Sequence, residues 1–205
     1  VLEFEEVGVS TNTMNFEEYL ETRKFSHLVE MLYNSKIFRE IEYFIEDCGL
    51  HYNKFVMLAY NELKNSHEDI QGVFQSLAKE STDELKDSEE ALVKYYTQED
   101  KFKKAMSGEE GGNVKYNHKA MLLSKHKEVW LDFVFGTLEK FLKTSNIEID
   151  DEFYDITTFI RCKFDGVLEV ERTNVEISNY FNYDIITWLN QQNRTKKLRD
   201  FKDKE

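Results

Sequence analysis

The absence of proline is the feature that most limits how this chain can fold. None of its 205 residues is proline, whereas average usage of about 5% would place roughly ten in a chain of this length. Proline lacks the backbone N–H donor and clashes with the preceding helical turn, so helix interiors exclude it. Glycine is also scarce, with 8 residues. The two scarcities favour a mainly α-helical chain and exclude collagen, polyproline linkers and proline-rich disordered tracts.

Charge limits the class of partner. The formal net charge is −13, and binding to the phosphates of a nucleic acid depends on clustered Lys and Arg. We therefore expect no nucleic-acid partner. The chain contains no apolar run of the roughly 18 residues that a membrane span needs, so we expect no membrane partner either. Cys48 and Cys162 form no CxxC pair, which favours two buried, reduced thiols in a cytoplasmic protein.

Apolar residues with helical spacing follow several start signals. Asn15 with Glu18 three positions later predicts a capping box, and the helix that follows ends at Asn34. Gly49 is a predicted C-terminal stop, and Ser66 with Asp69 predicts another helix start. Apolar residues spaced by three and four predict further helices within 37–45, 55–63, 70–77, 129–142, 153–160 and 183–192.

Two stretches favour extended structure instead. Residues 1–9 alternate apolar and acidic side chains in part, which predicts a short N-terminal strand. Asp165–Gly166 predicts a turn, and the β-branched residues near 167–178 predict a short extended segment. The predicted fold class is therefore mainly α: a multi-helix, bundle-like domain with these two short additions.

Residues 79–115 form the least core-like part of the sequence. Residues 79–112 hold ten acidic and six basic side chains, and a charge run of this kind is typical of a solvated helix face. Scattered apolar residues from Leu92 to Met106 allow one amphipathic helix, and the glycines at 108–112 mark a flexible break. We interpret this stretch as a hinge or a surface excursion.

Motifs for chemistry are missing. The five histidines form no HExxH, and the sequence has no GxSxG, no P-loop and no GxGxxG. With two cysteines it has no CxxxCxxC, so this chain alone cannot hold a site-differentiated iron–sulfur cluster. We therefore predict no catalytic residue and no metal ligand, and the sequence indicates no cofactor-binding residue.

Three stretches nevertheless carry a family resemblance. They resemble the region after the catalytic barrel in cobalamin-binding-domain radical S-adenosylmethionine (SAM) proteins. The three stretches are residues 7–35 (VGVSTNTMNFEEYLETRKFSHLVEMLYNS), the helical run 36–64 and residues 177–190 (ISNYFNYDIITWLN). The matching residues of the first motif are Ser10, Thr11, Thr13, Met14, Phe16 and Glu17. Those of the last motif are Phe181, Tyr183, Asp184, Ile185 and Trp188. Each match also has a purely structural interpretation. The negative charge of Asp184 near a helix start interacts favourably with the helix dipole, and Trp188 anchors its helix in the core.

The resemblance implies a division of the chain. Residues 1–14 are a strand and linker from an upstream barrel, and residues 15–205 are the helical C-terminal domain, not catalytic alone. Its partners are then its own upstream radical SAM barrel and cobalamin domain. The parent enzyme is expected to use a [4Fe–4S] cluster, S-adenosylmethionine and cobalamin, none of them bound by this chain alone.

Two alternatives stay open at this point. One is a stand-alone helical protein–protein interaction module, in which an exposed apolar groove with Trp130 and Phe133 binds a partner helix. The other is a metal-dependent helical enzyme that uses scattered His and Glu residues.

Overall fold

The computed structural model describes residues 6–107, 112–167 and 179–202, and within these ranges the chain is helical with no β-strand. This confirms the predicted mainly α fold class. The ten α-helices are α1 (Phe16–Val29), α2 (Arg39–Asp47), α3 (Tyr52–Glu62), α4 (Glu68–Asp83), α5 (Glu89–Tyr96), α6 (Glu99–Ser107), α7 (Val114–Leu123), α8 (Lys127–Thr144), α9 (Asp151–Val167) and α10 (Ile185–Leu189). Two 3-10 turns, Leu63–Asn65 and Leu198–Phe201, follow α3 and α10.

One core joins most of the helices. Helix α4 packs between α1 and α7, α3 packs along α8, and α2 packs on α9. Phe55 of α3 meets Phe141 of α8 with ring centroids 6.0 Å apart, and Phe38 stacks on Phe164 of α9 at 5.5 Å. Trp130 at the start of α8 is fully buried. The core therefore runs from the α4–α7 side of the molecule to the α2–α9 side.

Local signals place several helix ends. The Asn15 carboxamide accepts the backbone N–H of Glu18 at 2.9 Å and the Glu18 carboxylate accepts the N–H of Asn15 at 2.8 Å, so the predicted capping box is present. Gly49 has φ of 76° and ends α2 as predicted. The predicted cap at Ser66 is wrong by one residue, because the His67 side chain caps α4 while the Ser66 hydroxyl donates to the carbonyl of Leu63.

A π-helical turn, Glu30–Asn34, ends the first helical segment. The N–H of Ser35 bonds the carbonyl of Glu30, five residues back. The Tyr52 hydroxyl donates to the carbonyl of Leu32 at 2.7 Å. This bond satisfies a backbone acceptor for which the π-helical hydrogen-bonding pattern provides no N–H partner. The helix break predicted at Asn34 is thus confirmed.

The structure describes part of the first predicted extended stretch and almost none of the second. In the described part of the predicted N-terminal strand, residues 6–9, the backbone is not in a strand, and no other described residue forms a bridge with it. Residues 168–178, which hold nearly all of the second stretch, lie outside the described residues. The turn predicted at Asp165–Gly166 is wrong, since α9 continues through Val167.

Residues 79–115 are also rearranged relative to the prediction. Residues 79–83 belong to the end of α4, and α5 and α6 form two short helices instead of one. We call residues 89–107 the α5–α6 hairpin. Among the described residues its helices pack mainly on each other and contribute no buried residue. The interpretation of residues 79–115 as a hinge or a surface excursion stays a prediction.

Candidate functional site

The carboxylate of Asp47, the last residue of α2, accepts three hydrogen bonds from the C-terminal part of the chain. It accepts the indole N–H of Trp188 at 2.8 Å and the backbone N–H of Leu198 at 2.9 Å on Oδ2, and an Arg194 guanidinium N–H at 3.0 Å on Oδ1. A carboxylate at a helix C-terminus is unfavourable for the helix dipole. These three donors offset that cost and tie α2 to the C-terminal segment, residues 179–202.

A second carboxylate holds the start of the same segment. Asp155 is buried on α9 and accepts the backbone N–H groups of Asn182 and Tyr183, the latter at 3.1 Å. The side-chain amide of Asn182 donates to the other carboxylate oxygen at 3.1 Å. These bonds satisfy backbone donors that precede α10. Asp155 therefore fixes the point at which the segment enters the core.

A third acidic residue pairs with the basic end of the segment. Glu152 is 4% exposed, and its carboxylate lies 3.2 Å from the Arg199 guanidinium. Burial raises the pKa of Glu152 above its usual value, and nearby Arg199 opposes that rise. Asp47, Glu152 and Asp155 together make what we call the carboxylate anchor.

Aromatic contacts complete the attachment of the segment. The Arg194 guanidinium lies 3.6 Å from the ring centroid of Tyr43, and Tyr43 packs edge-to-face on Trp188 at 6.2 Å. Trp188 itself is fully buried. A cation over an aromatic face that is partly removed from water adds to the stabilisation that the hydrogen bonds provide. The segment is thus held by burial, hydrogen bonds and charge at once.

The structure separates the two sets of residues that the sequence singled out. Of the C-terminal set, Tyr183, Ile185 and Trp188 are buried, while Phe181 is half-buried against Phe159. Asp184 is exposed and caps α10 by accepting the N–H of Thr187 at 2.9 Å. That hydrogen bond lowers the pKa of Asp184. The interpretation of Asp184 and Trp188 as helix-end and core residues describes what they do here.

The N-terminal set makes local contacts. Ser10, Thr11 and Thr13 are exposed, and Thr11 pairs with Met14 in an isolated antiparallel bridge. Phe16 stacks on Tyr19, one turn along α1, at 5.9 Å. These residues shape the entry into α1 and do not belong to the carboxylate anchor.

Sequence reasoning missed the carboxylate anchor itself. Asp47 and Trp188 are separated by 141 positions, and no short motif links residues so far apart. One signal was available at Asp47, which ends a helix just before the stop at Gly49. An acidic residue at a helix C-terminus is unfavourable for the dipole and calls for a compensating donor.

A second polar cluster lies between α1, α4 and α7. His27 of α1 is fully buried, and neither ring nitrogen has a hydrogen-bond partner among the described residues. His118 of α7 is also buried; its Nδ1 lies 2.7 Å from the carbonyl of Val114 and its Nε2 lies 3.5 Å from a carboxylate oxygen of Glu80 on α4. Burial lowers the pKa of His27 to about 4, and His118 and Lys115 add to that effect. We call His27, His118 and Glu80 the histidine seam.

The hydrogen bonds of the carboxylate anchor are those of an attachment site. The oxygens of Asp47 and Asp155 accept donors from the chain itself, which suits attachment and not proton transfer. Burial raises the pKa of the Cys48 thiol to about 11, so it stays protonated and a poor nucleophile near neutral pH. Cys48 and Cys162 are unpaired and half-buried, and the described ranges contain no group of three or more His, Cys, Asp or Glu residues placed to hold a metal ion.

Comparison of the chain with protein-family models, curated proteins and solved structures gives no match. In the part of the chain that the structure describes, no helix combines the length and apolar character of a membrane span. Assignment of a function therefore depends on the geometry of the carboxylate anchor and on the resemblance of the sequence motifs.

Proposed function

We propose that the chain is the helical C-terminal accessory domain of a cobalamin-binding radical SAM enzyme and packs on the catalytic barrel of that enzyme. The supporting observation is that residues of the last motif hold the C-terminal segment in the core. Tyr183, Ile185 and Trp188 are buried, and the Trp188 indole N–H bonds Asp47 on α2. A motif that holds a segment in place is the kind that an accessory domain shares with its relatives, because its residues serve packing and not chemistry.

In this proposal the chemistry takes place outside these 205 residues. A site-differentiated [4Fe–4S] cluster takes three cysteine thiolates, and this sequence has two cysteines, 114 positions apart. The residues present therefore do not fit the cluster, and in this proposal SAM cleavage takes place in an upstream barrel. Cobalamin would likewise bind a preceding domain. The domain described here contributes packing, and its carboxylate anchor keeps the last segment fixed during the reaction.

The experiment that tests this proposal starts from the complete reading frame. We expect a CxxxCxxC roughly 200–300 residues before Val1, the length of a typical barrel. The complete polypeptide and the 205-residue chain are then reconstituted with iron and sulfide, and SAM cleavage is measured. Only the complete polypeptide should cleave SAM. A frame without the cysteine motif, or turnover by the 205-residue chain, would contradict the proposal.

A second candidate function is a stand-alone interaction module, and a groove beside α8 favours it. Val129, Phe133, Gly136 and Lys140 follow one face of α8 and line a cavity of about 340 Å³ opposite the turn after α3. A methyl group at Gly136 would lie more than 4 Å from the other described residues, although glycine inside a helix costs about 1 kcal/mol relative to alanine. Packing among the described residues therefore does not require Gly136.

The details of that alternative differ from the sequence prediction. Trp130 is fully buried and faces the core, where it stacks on Phe133 at 5.5 Å. Only Phe133 of the predicted pair lines the groove. A natural start codon next to Val1 would favour the module over the accessory domain, whereas an upstream cysteine motif favours the accessory domain.

A further inference from the structure

Four of the five histidines of the chain lie at or beside the contact of α7 with α1 and α4. His27 belongs to α1, His67 caps the start of α4, His118 is on α7, and His126 lies between α7 and α8. Histidine is the side chain whose ordinary pKa puts its charge change near neutral pH. A fall in pH therefore changes the charge of this one contact at four positions.

A charged His27 would face a positive surface on α7. The His27 ring is fully buried, neither of its nitrogens has a hydrogen-bond partner among the described residues, and the Phe74 ring of α4 packs on it at 5.5 Å. The charged and titratable groups that act on it are His118, Lys115 and Lys119 of α7 and Glu30 of α1. Three of these four repel a proton on His27, and burial opposes the charge further. Protonation of His27 therefore pushes α1 and α7 apart.

Glu80 of α4 gives His118 a different response to acid. The Nδ1 of His118 lies 2.7 Å from the Val114 carbonyl, so we infer that this nitrogen carries the hydrogen of the neutral ring. The Nε2, which lies 3.5 Å from a carboxylate oxygen of Glu80, then carries a hydrogen only when the ring is charged. Protonation of His118 thus strengthens its contact with α4. His27 is left as the group whose protonation the closed contact opposes.

The C-terminal end of α7 is also strengthened by acid. The Nδ1 of His126 lies 3.5 Å from a carboxylate oxygen of Asp69 on α4, and the Nδ1 of His67 lies 3.4 Å from the same oxygen. Protonation of either ring places a positive charge beside the Asp69 carboxylate, which attracts it. The neighbouring cation, Lys127 of α8, pairs with Asp165 of α9 at 2.7 Å. Acid therefore acts in opposite senses at the two ends of α7.

We propose that α7 is an acid-released flap: protonation of His27 frees its N-terminal half from α1, while the His126–Asp69 pair keeps its C-terminal end on α4. Release uncovers the buried Val114 side chain and the Phe74 ring, so acid creates an apolar surface that the neutral protein covers. The inference depends on the described contacts alone and not on the proposed function.

Hydrogen exchange of the 205-residue chain tests the flap, with rates corrected for the intrinsic pH dependence of amide exchange. Helix α7 has 10 residues, and a helix this short is marginal in water once released, so its amides lose protection. A histidine with a pKa of about 4 in the contact and 6.5 in water raises the opening constant about 20-fold from pH 7 to pH 5. Protection of the amides of residues 117–120 should fall by that factor.

Three variants show whether His27 is the trigger. His27→Leu should remove most of the fall, and the exposed His51→Leu should leave it intact. Lys115→Gln keeps the core unchanged and removes one cation that acts on His27, so it should reduce the fall. A fall that both His27→Leu and Lys115→Gln leave unchanged would overturn the inference. Protection of α7 equal to that of α8 at every pH would also overturn it, because α7 would then open only with the whole domain.

Asp69→Asn tests the attached end. The N–H of Ser124 bonds the carbonyl of Ala120 at 3.0 Å, and the N–H of His126 bonds that of Met121 at 3.0 Å. At pH 5 these two amides should lose less protection than those of residues 117–120. Asp69→Asn keeps the shape of the side chain and removes its charge, so both ends should then lose protection together. Equal losses at the two ends of the unsubstituted chain would contradict the flap.

Discussion

Two short helical regions of this molecule differ sharply in how they are held. Helix α10 has five residues, of which Ile185, Trp188 and Leu189 are buried. Helix α5 has eight residues and none is buried. The shorter helix is therefore the one integrated into the core, although length alone favours the longer one. The partner surface, and not helix length, decides which short helix is fixed.

The polar contacts of the two regions differ in the same direction. The C-terminal segment is bonded to Asp47 and Asp155, which are largely removed from water. The hairpin has ion pairs such as Lys103–Glu99, whose side chains are 72% and 83% exposed. Exposed pairs contribute roughly 0–1 kcal/mol. Polar bonds of similar length thus stabilise the two regions to different extents.

Replacing one aromatic residue in each region should show the largest effect. Trp188→Ala removes a fully buried indole and its bond to Asp47, and we expect a loss of about 3–5 kcal/mol in the free energy of unfolding. Phe102→Ala in the hairpin should cost under about 0.5 kcal/mol, because Phe102 is 46% exposed. Urea unfolding followed by circular dichroism measures both. Equal losses would mean that the hairpin belongs to the core after all.

Acid should act on the histidine seam with the next largest effect. Burial holds the pKa of His27 at about 4 against a usual value of 6.5, so the unfolded chain binds a proton first as pH falls. Stability is therefore lost between about pH 6.5 and pH 4, by at most about 3 kcal/mol. His27→Leu should abolish that part of the pH dependence, while the exposed His51→Leu should leave it intact. A His27→Leu variant with the unchanged profile would contradict this account.

Acidification should have the opposite effect on the contribution of Glu152 to stability. Burial raises the pKa of Glu152 in the folded chain, so this residue favours folding more when it is protonated and less as pH rises through its folded pKa. Hydrogen exchange of α1, which carries His27, and of α10 against pH separates the two effects. We expect protection of α1 to fall at a higher pH than protection of α10.

Removing the central carboxylate should have a smaller effect than removing Trp188. Asp47→Ala leaves the Trp188 indole N–H and the Leu198 N–H without their acceptor, which we expect to cost about 2–3 kcal/mol. Asp47→Asn keeps one acceptor oxygen and should cost less. Asp87→Ala is the control, since Asp87 is exposed just before the hairpin. A loss for Asp87→Ala as large as for Asp47→Ala would remove the distinction between the two regions.

The sequence predicted local features of the fold better than long-range ones. The capping box at Asn15 and the helix stop at Gly49 depend on residues within a few positions, and both are present. Asp165–Gly166 has the composition of a turn, yet α9 continues through it, and the Asp165 carboxylate binds Lys127 of α8 at 2.7 Å. Tertiary contacts of this kind override local preference and leave no short motif.

The candidate site illustrates the same limit. The apolar residues Ile185, Ile186, Trp188 and Leu189 predict a helix, which is present as α10 with three of them buried, whereas Ile186 is 56% exposed. The partners Asp47 and Asp155 lie 141 and 28 positions from Trp188 and Tyr183, respectively. A single sequence carries no signal that pairs residues over such separations. The division into residues 1–14 and 15–205, and the parent enzyme, stay predictions.

The smallest effect should come from the helix caps, and it separates local from global stability. Ser88 caps α5 by accepting the N–H of Ala91 at 3.1 Å, and Asp184 caps α10 by accepting the N–H of Thr187 at 2.9 Å. Replacing either residue by alanine removes an equivalent bond, which costs a helix about 1 kcal/mol. Because α10 unfolds with the core, Asp184→Ala should lower the free energy of global unfolding by about that amount. Ser88→Ala should leave global unfolding unchanged in the 205-residue chain and speed hydrogen exchange only in α5, because the hairpin opens on its own. If Ser88→Ala lowers global stability as much as Asp184→Ala does, the hairpin and the core unfold as one cooperative unit.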